Sequence, residues 1–428
     1  MDKRKFLFVS LSGLIGDIAW EVQKEGHDVR YFIEAVSEQD IADGFVPKSK
    51  DWERDAKWAD IVVFDDTLGQ GAKAQALRAT GKPVIGGTPY ADRLEDDRSF
   101  GQEELKNAGV NIIPYEDFDS FDPAIEFVQK NPDRYVIKPS GEAQNVKRRL
   151  FVGEEENGED VIRMLEAYKK AFAEEIKVFQ LQRRVVGVEV AVGAFFNGKT
   201  FINPININFE HKKLFPGDIG PPTGEMGTSM FWSGPNTLFN DTLLKMAPKL
   251  AEEGYIGYID LNTIVNNHGI YPLEFTARFG YPTISIQQAG MLTPIGEFFC
   301  DLASGSDPKL RVRSGFQIGV RIVVPPFPFD DDNTFESFSR NAAIVFKKPP
   351  SDDVHIEDVK QKNGQWLVAG TSGVILIVIG LGQTMKQAQA QVYSRIKNIM
   401  IPNMYYRTDI GDRWEEDSDR LHNWGYLR

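Results

Sequence analysis

The feature that most constrains the fold is a strand, a glycine turn, a helix and a second strand at the start of the chain. Lys5 to Ser10 is an apolar run that ends in Ser-Leu-Ser-Gly, a helical pattern follows as far as Gly26, and Asp28 to Ile33 is the next strand. Such a βαβ unit predicts a parallel sheet. Apolar runs at Ala59 to Phe64 and Pro83 to Ile85 repeat the rhythm, so we predict a parallel α/β domain over residues 1–95.

Length and charge limit the class of protein. A chain of 428 residues is too long for one hydrophobic core, and its net charge of -13 argues against general binding to nucleic acid or anionic membrane. A local basic pocket could still hold a phosphorylated substrate. The one cysteine, Cys300, rules out an intrachain disulfide and fits a reducing compartment. We therefore expect a cytoplasmic monomer or homodimer.

Two carboxylates on neighbouring predicted strands are the first candidate site. Asp260 lies in the strand Tyr255 to Val265, and Glu274 lies in Gly269 to Phe275, which a short turn joins to it. Carboxylates that face one way across a hairpin repel each other unless a cation lies between them. Oxygen ligands favour magnesium beside nucleotide phosphates, although such a pair can also simply face solvent.

The residues after Glu274 strengthen the metal interpretation. The spacing Glu274-x-Thr276-x-Arg278 places three polar side chains on one strand face. A buried face of this kind needs a charged ligand, and the planar donor group of Arg278 suits a phosphate or an acyl phosphate. Thr276 could add a hydroxyl near the metal.

Two further segments favour a phosphate or carboxylate ligand. Lys138 ends the predicted strand that begins at Tyr135, and a polar loop with Lys147 follows it; the alternative is a surface lysine. Glu210 to Gly227 is rich in glycine and proline and without periodicity, so we predict a functional loop there, with a plain surface loop as the alternative. The last residues are predicted to form an irregular charged tail.

Three segments, in this order, resemble one known family. Glu210-His211-Lys212-Lys213 with Gly217 to Gly227 is similar to the pattern D-H-K-R…G-D-x-G-P-N-T-G-G-M-G. Leu273 to Gly280 is similar to L-E-F-N-x-R-F-G, and Tyr406 to Gly411 is similar to Y-R-x-D-I-G. These patterns are those of the phosphoribosylamine–glycine ligases of purine biosynthesis, which belong to the ATP-grasp superfamily.

The resemblance implies an α/β and α+β multidomain fold. Its parts would be the N-terminal α/β domain, an ATP-grasp region over residues 96–310 with two subdomains (the first about 110–180), and a small mixed C-terminal domain over residues 311–428. It also implies ATP, Mg2+ or Mn2+, and two small-molecule substrates, a carboxylate and an amine.

The resemblance further implies a role for each matching residue. The nucleotide would be bound by Arg98, Lys138, Lys147, Gln182, Arg183, Val185 and Glu189. The metal would be bound by Asp260, Glu274 and Thr276, and the substrates by Lys212, Gly217, Asp218, Gly220, Thr223, Gly224 and Met226. The catalytic residues would be Lys138, Asp218 and Arg278.

The chain also departs from the family patterns. Leu11 to Asp17 replaces G-S-G-G-R-E-H-A, and Glu142 to Arg149 replaces A-A-G-K-G-V. Arg278 to Thr283 reads R-F-G-Y-P-T where the family has R-F-G-D-P-E, and Thr276 replaces an asparagine. Three functions therefore stay open: the family reaction, a ligase for another amino acid and amine, and a non-catalytic nucleotide-binding relative.

Overall fold

The structure, a computed structural model, describes residues 2–139 and 149–428. Lys147 and nearly all of the polar loop after Lys138 lie outside these residues. The predicted parallel domain is confirmed. It contains β1 (Lys5–Ser10), α1 (Gly16–Lys24), β2 (Asp28–Ile33), a 3-10 helix (Val36–Glu38), α2 (Trp52–Trp58), β3 (Ile61–Phe64), α3 (Gln70–Ala79), β4 (Val84–Ile85), α4 (Pro89–Asp96) and α5 (Arg98–Asn107).

The four strands of this domain are parallel and have the order β2-β1-β3-β4. Side-chain caps begin the last two helices. The Thr88 hydroxyl accepts a hydrogen bond from the Ala91 backbone N–H, and the Asp97 carboxylate accepts one from Phe100. The second cap fixes the start of α5 and therefore the position of its first residue, Arg98.

A small antiparallel sheet follows. Its elements are β5 (Tyr115–Phe118), α6 (Phe121–Lys130), β6 (Tyr135–Pro139), β7 (Phe151–Val152), α7 (Glu159–Phe172) and β8 (Phe179–Arg183). The strand order is β5-β8-β6-β7. The two helices pack on the sheet through a separate apolar core that includes Ile137, Leu165 and Phe179.

The next segment supplies most of the long strands. Its elements are β9 (Val188–Asn197), β10 (Ile205–Phe215), β11 (Ile219–Ser233), α8 (Thr237–Asp241), a 3-10 helix (Leu243–Met246), α9 (Ala247–Glu252), β12 (Ile256–Asn266), β13 (Gly269–Thr276), α10 (Thr283–Gly290) and α11 (Ile295–Ala303). The predicted hairpin of the two carboxylates is confirmed as β12 and β13, which pair in antiparallel register.

The last part of the chain mixes strands and helices. Its elements are β14 (Phe316–Val323), α12 (Asp332–Phe338), β15 (Ala343–Phe346), β16 (Val354–Ile356), β17 (Val359–Lys362), β18 (Gln365–Val368), β19 (Val374–Gly382), α13 (Met385–Ile396), β20 (Ile399–Met400) and α14 (Trp414–Asn423).

One large sheet joins the two halves of the chain. Its eight strands have the order β13-β12-β9-β10-β11-β14-β19-β16, so three strands from beyond residue 311 continue the sheet that β9 to β13 begin. A smaller sheet, β17-β18-β15-β20, lies in the C-terminal part. The predicted division at residue 311 therefore falls within a segment whose two sides share one sheet.

Two predictions of irregular structure are wrong. Glu210 to Gly227 is not a loop, because most of it belongs to the hairpin of β10 and β11, and β11 also pairs with β14. Its glycines serve the turn, since Gly217 and Gly220 have φ values of 76° and 85°. The charged tail contains α14, which buries Leu421 against the core and also buries Asp417.

A buried ion pair connects the N-terminal domain to the C-terminal part. Asp17 of α1 lies 2.8 Å from His355 Nδ1 of β16, and it accepts hydrogen bonds from the Ser285 hydroxyl at 3.0 Å and the Ile356 N–H at 3.2 Å. Burial alone would lower the pKa of His355, but the Asp17 carboxylate raises it above 6.5. The imidazole therefore keeps its proton to a higher pH than an exposed histidine does.

This pair makes stability depend on pH. The contribution of His355 is fully present below pH 6.5 and is lost as the pH rises through its raised pKa, because the unfolded chain gives up the proton first. We expect the free energy of unfolding to fall across this range, and to fall less in Asp17→Asn. Urea unfolding at pH 6 and pH 8 measures both slopes, and equal slopes in the two proteins would contradict the assignment.

Candidate active site

One face of the small sheet carries three buried polar side chains. Lys138, at the end of β6, is paired in register with Gln180 of β8, and Gln182 follows two residues later on the same face. Gln180 Nε2 donates a hydrogen bond to the Ser99 hydroxyl at 3.0 Å, which ties this sheet to α5. Burial, with the nearby charge of Arg98, lowers the pKa of Lys138 to about 7.

Lys212 lies at the centre of a charge cluster opposite this face. Its Nζ is 3.2 Å from Glu189 Oε1, 3.4 Å from Glu210 Oε2 and 3.7 Å from Glu274 Oε1. Burial alone would lower the pKa of Lys212, but these carboxylates raise it well above its ordinary value. Arg98 Nη2 lies 3.5 Å from Glu274 Oε2, so strands β9, β10 and β13 and helix α5 all contribute to the cluster.

The register of β12 and β13 confirms that the two candidate metal ligands share a face. Asp260 is opposite Thr276, and Asn262 is opposite Glu274. Asp260 is buried, and Tyr258 donates a hydrogen bond to its Oδ2 at 3.2 Å. Burial and the charge of Glu210 raise the pKa of Asp260 to about 8.

The donors on this face fit a hard divalent cation. Among the described residues Asp260 Oδ1 is buried without a hydrogen-bond partner, and a cation would relieve the repulsion that raises this pKa. Among residues 2–139 and 149–428, no three or more Asp, Glu, His or Cys side chains lie close enough together to bind a metal by themselves. Magnesium commonly takes one or two carboxylates together with substrate phosphates.

Arg278 lies two residues beyond the end of β13 and faces the N-terminal domain. Its Nε is 3.1 Å from Glu95 Oε1 and 3.3 Å from Asp66 Oδ1. Burial alone would lower the pKa of Arg278, but these two carboxylates raise it. The guanidinium is therefore charged and held at the junction of the N-terminal domain with the large sheet.

The tip of the β10–β11 hairpin is bound to the C-terminal part. Arg407, which is fully buried, donates to Asp218 Oδ1 at 2.9 Å and to the Lys213 carbonyl at 2.9 Å. It also bonds Asp409, whose carboxylate accepts a hydrogen bond from the Gly217 N–H at 2.9 Å. The hairpin that carries the first sequence pattern therefore contacts the C-terminal segment that carries the third. Asp218 contacts Arg407 rather than Lys212.

The other predicted substrate residues divide into two groups. Gly217, Gly220 and Gly224 are exposed along the outer half of the hairpin. Thr223 donates its hydroxyl to the Lys212 carbonyl at 2.8 Å, and Met226 is buried in a small apolar cluster with Leu214. The side chains of Thr223 and Met226 thus support the hairpin.

Part of the segment that is predicted to bind adenine is exposed to solvent. Arg183 is exposed, with its Nε 2.7 Å from Asp133 Oδ2, and Val185 is partly exposed. Gln182 is buried, and its Nε2 has no hydrogen-bond partner among the residues that the structure describes.

Sequence reasoning missed several residues of the site. Gln180, Asn262 and Glu210 could have been found from the alternation of side chains along strands, because each lies two residues from a predicted site residue. Asp66 and Glu95 carried no comparable signal. They reach Arg278 only through the packing of the N-terminal domain against the large sheet.

Lys138 of the small sheet thus lies close to one charge cluster formed by Arg98 of α5 with Lys212 and Glu274 of the large sheet. This architecture defines the class of ATP-grasp proteins. The sequence profile of the phosphoribosylglycinamide synthetase ATP-grasp domain matches residues 96–284, and that of the C domain of the same synthetase matches residues 336–413. The chain belongs to the phosphoribosylglycinamide synthetase family.

Individual relatives agree with this placement. The chain is 28% identical over 346 residues to a phosphoribosylamine–glycine ligase of Lactococcus lactis, covering 77% of this chain and 78% of the relative. A crystal structure of phosphoribosylamine–glycine ligase from Thermotoga maritima superposes with a TM-score of 0.70 at 21% identity, over 95% of this chain and 100% of that one.

A biotin carboxylase from Campylobacter jejuni, solved as a βγ-ATP complex, superposes with a TM-score of 0.64 at 15% identity, over 99% of this chain and 98% of that one. This likeness shows the fold alone. Within the described residues, no helix combines the length and the apolar composition needed to cross a bilayer.

Proposed function

We propose that this chain is an ATP-dependent, ADP-forming ligase that joins a carboxylate to an amine through an acyl phosphate. The single observation that carries the proposal is the meeting of Lys138, Arg98 and Lys212 with Glu274. Cations and carboxylates brought together in this way suit a nucleotide triphosphate and its metal. Family membership supports the same reaction class.

In this proposal Lys138 and Arg98 hold the ATP phosphates. Lys138 is only partly charged in the free protein, because burial lowers its pKa to about 7, and an arriving phosphate would favour the charged form. Gln182, Arg183 and Val185 would border the adenine, and Glu189 would bind the ribose. A divalent cation on Asp260, Glu274 and Thr276 would supply charge neutralisation at the phosphates.

The reaction then has two steps. The substrate carboxylate attacks the γ-phosphorus, the bond to the β-phosphate oxygen breaks, and ADP and an acyl phosphate form. The neutral amine attacks the acyl carbon, a proton leaves the nitrogen, and phosphate departs with the bonding electrons. In this proposal Arg278 stabilises the oxyanion of the second step, and its fixed orientation against Glu95 and Asp66 supports this role.

The names of the relatives suggest glycine and phosphoribosylamine as the substrates, and hence a role in purine biosynthesis. One observation favours a different pair. Tyr281 stands where the family pattern has aspartate, and its hydroxyl donates to the Asp65 carbonyl at 3.4 Å, beside Arg278. We therefore keep a ligase for another amino acid and amine as the second candidate. A cytoplasmic monomer or homodimer stays part of the proposal.

The test is ADP release with Mg-ATP. We expect release that requires both a carboxylate and an amine, first with glycine and phosphoribosylamine, and otherwise with another amino acid and amine. Release with glycine and phosphoribosylamine identifies the family reaction, and release with another pair identifies the divergent ligase. Tight nucleotide binding without ADP release under any pair would overturn the ligase proposal in favour of a non-catalytic relative.

A further inference from the structure

A bulge in β11 turns one carboxylate into the interior of the site. On β10, His211 and Lys213 are separated by one residue, but their partners on β11, Gly227 and Pro222, are separated by four. The extra residues of β11 leave the regular ladder at this point. Such bulges redirect side chains next to functional sites. Glu225 lies in this bulge and is buried.

Glu225 is held in place through its backbone. Arg321 of β14 donates from Nη1 to the Glu225 carbonyl at 3.2 Å, and its Nη2 lies 2.6 Å from Glu357 Oε1. All three residues are buried. The guanidinium is therefore already neutralised by Glu357, and it fixes the chain at Glu225 without bonding the Glu225 carboxylate.

The side chains around Glu225 have unmet hydrogen-bonding capacity. Three buried atoms on Glu225 and on two residues beside Glu210 are among those that lack a hydrogen-bond partner within the described residues: Glu225 Oε1, Thr228 Oγ1 and Asn208 Nδ2. Thr228 is opposite Glu210 in the ladder, and Asn208 lies two residues before Glu210 on the same face. Leaving such groups unpaired costs about 1–3 kcal/mol each. Thr228 and Asn208 share the face of Glu210, and Glu225 lies close enough to Glu210 to be repelled by it, so these unpaired groups indicate a polar ligand.

The net charge of this region selects the charge of the ligand. Glu225 is buried close to the carboxylate of Glu210. Arg321 is paired with Glu357, and Lys212 is already shared among three other carboxylates. No described cation bonds the Glu225 carboxylate. A positively charged nitrogen would satisfy it, whereas a phosphate or a second carboxylate would be repelled.

Chemistry then decides which substrate carries this nitrogen. A carboxylate that binds an ammonium group keeps it protonated, and a protonated nitrogen has no electron pair for attack on an acyl phosphate. The nitrogen on Glu225 therefore does not react. The simplest substrate that places such an ammonium group beside the reacting carboxylate is an amino acid.

We infer that Glu225, with Thr228 and Asn208, binds the ammonium group of an amino acid whose carboxylate is phosphorylated by ATP; this inference rests on the proposed function. The family pattern G-D-x-G-P-N-T-G-G-M-G has glycine at the position of Glu225, so a carboxylate here is a feature of this chain and not of the family pattern. Glu225 would contact the substrate, and Arg321 and Glu357 are positioning residues.

Calorimetric titration tests the inference in the full chain with Mg-ADP present. The probes are glycine, alanine and β-alanine, each compared with the acid that lacks the amino group, namely acetate for glycine and propionate for the other two. We expect at least one amino acid to bind more tightly than the acid that lacks its amino group. Glu225→Gln should lower the affinity for that amino acid by about 10- to 100-fold and leave the affinity for the corresponding acid unchanged. Equal amino acid binding by both proteins would overturn the inference.

Glu38→Gln is the matched control, because Glu38 is similarly buried but its oxygens already accept hydrogen bonds from Ser37 and Thr371. Thermal unfolding checks that both variants fold. If Glu225→Gln does not fold, Glu225→Gly replaces it in the titration. ADP release separates the two proposals. If amino acid binding depends on Glu225 but no ADP is released, the inference is supported and the ligase proposal is rejected. If ADP is released but wild type and Glu225→Gln bind the amino acid equally, only the inference is rejected.

Discussion

Glu274→Ala is expected to lower the rate of ADP release by about 100- to 1,000-fold, because it removes a charge that meets Arg98, Lys212 and a divalent cation at the phosphates. The substitution leaves two cations facing each other without the carboxylate between them. We therefore expect kcat to fall more than the affinity for free ADP. Steady-state ADP release and calorimetric ADP binding, with and without Mg2+, separate the two effects.

The control for this prediction is Glu252→Ala on α9, where the carboxylate is exposed and pairs with Lys249. It should leave ADP release unchanged. If Glu274→Ala kept wild-type activity and a wild-type response to Mg2+, the metal assignment to β12 and β13 would be wrong. The ATP-grasp fold would stand in that case, since it rests on the sheet topology and on the family match.

Arg407→Ala is expected to lower the free energy of unfolding by about 3 kcal/mol. The side chain is fully buried and bonds Asp218, Asp409 and the Lys213 carbonyl, so its loss removes the buried charge that neutralises the two carboxylates and a donor to the carbonyl. We choose the lower end of the usual range because Asp218 is partly exposed and can be rehydrated. Urea denaturation measures the change.

Arg420→Ala is the matched control, since Arg420 forms an exposed pair with Glu416 within one helix and should contribute no more than about 0.5 kcal/mol. Because Arg407 holds the hairpin that carries Lys212, we also expect weaker substrate binding in Arg407→Ala. A loss of activity with unchanged stability would contradict the structural role and would place Arg407 in contact with substrate.

Local periodicity was enough to predict the N-terminal sheet and the hairpin of Asp260 and Glu274. In both regions neighbouring strands are close in sequence, so their pattern and their pairing coincide. The hairpin of β10 and β11 was missed because its glycines and prolines are typical of loops. Its pairing with β14, about ninety residues later, stabilises it as a strand.

The site residues that could and could not be predicted are separated by the same property, their distance along the chain. Lys138 and Glu274 were predicted because each ends or lies within a recognisable strand. Asp66, Glu95 and Arg321 were not predicted, because they reach the site from distant parts of the chain. Glu225 lay inside a recognised pattern, but nothing in the sequence showed that a bulge would turn its side chain inward.

The sheet that runs across residue 311 has a consequence for how such proteins can diversify. A module that ends at a flexible linker can be exchanged between relatives as a unit, whereas β14 is bonded on both edges, to β11 and β19. A recombination event near this position would break backbone ladders and separate Arg321 from Glu225. Diversification of this lineage should therefore proceed by point substitution in the interior rather than by shuffling of C-terminal segments.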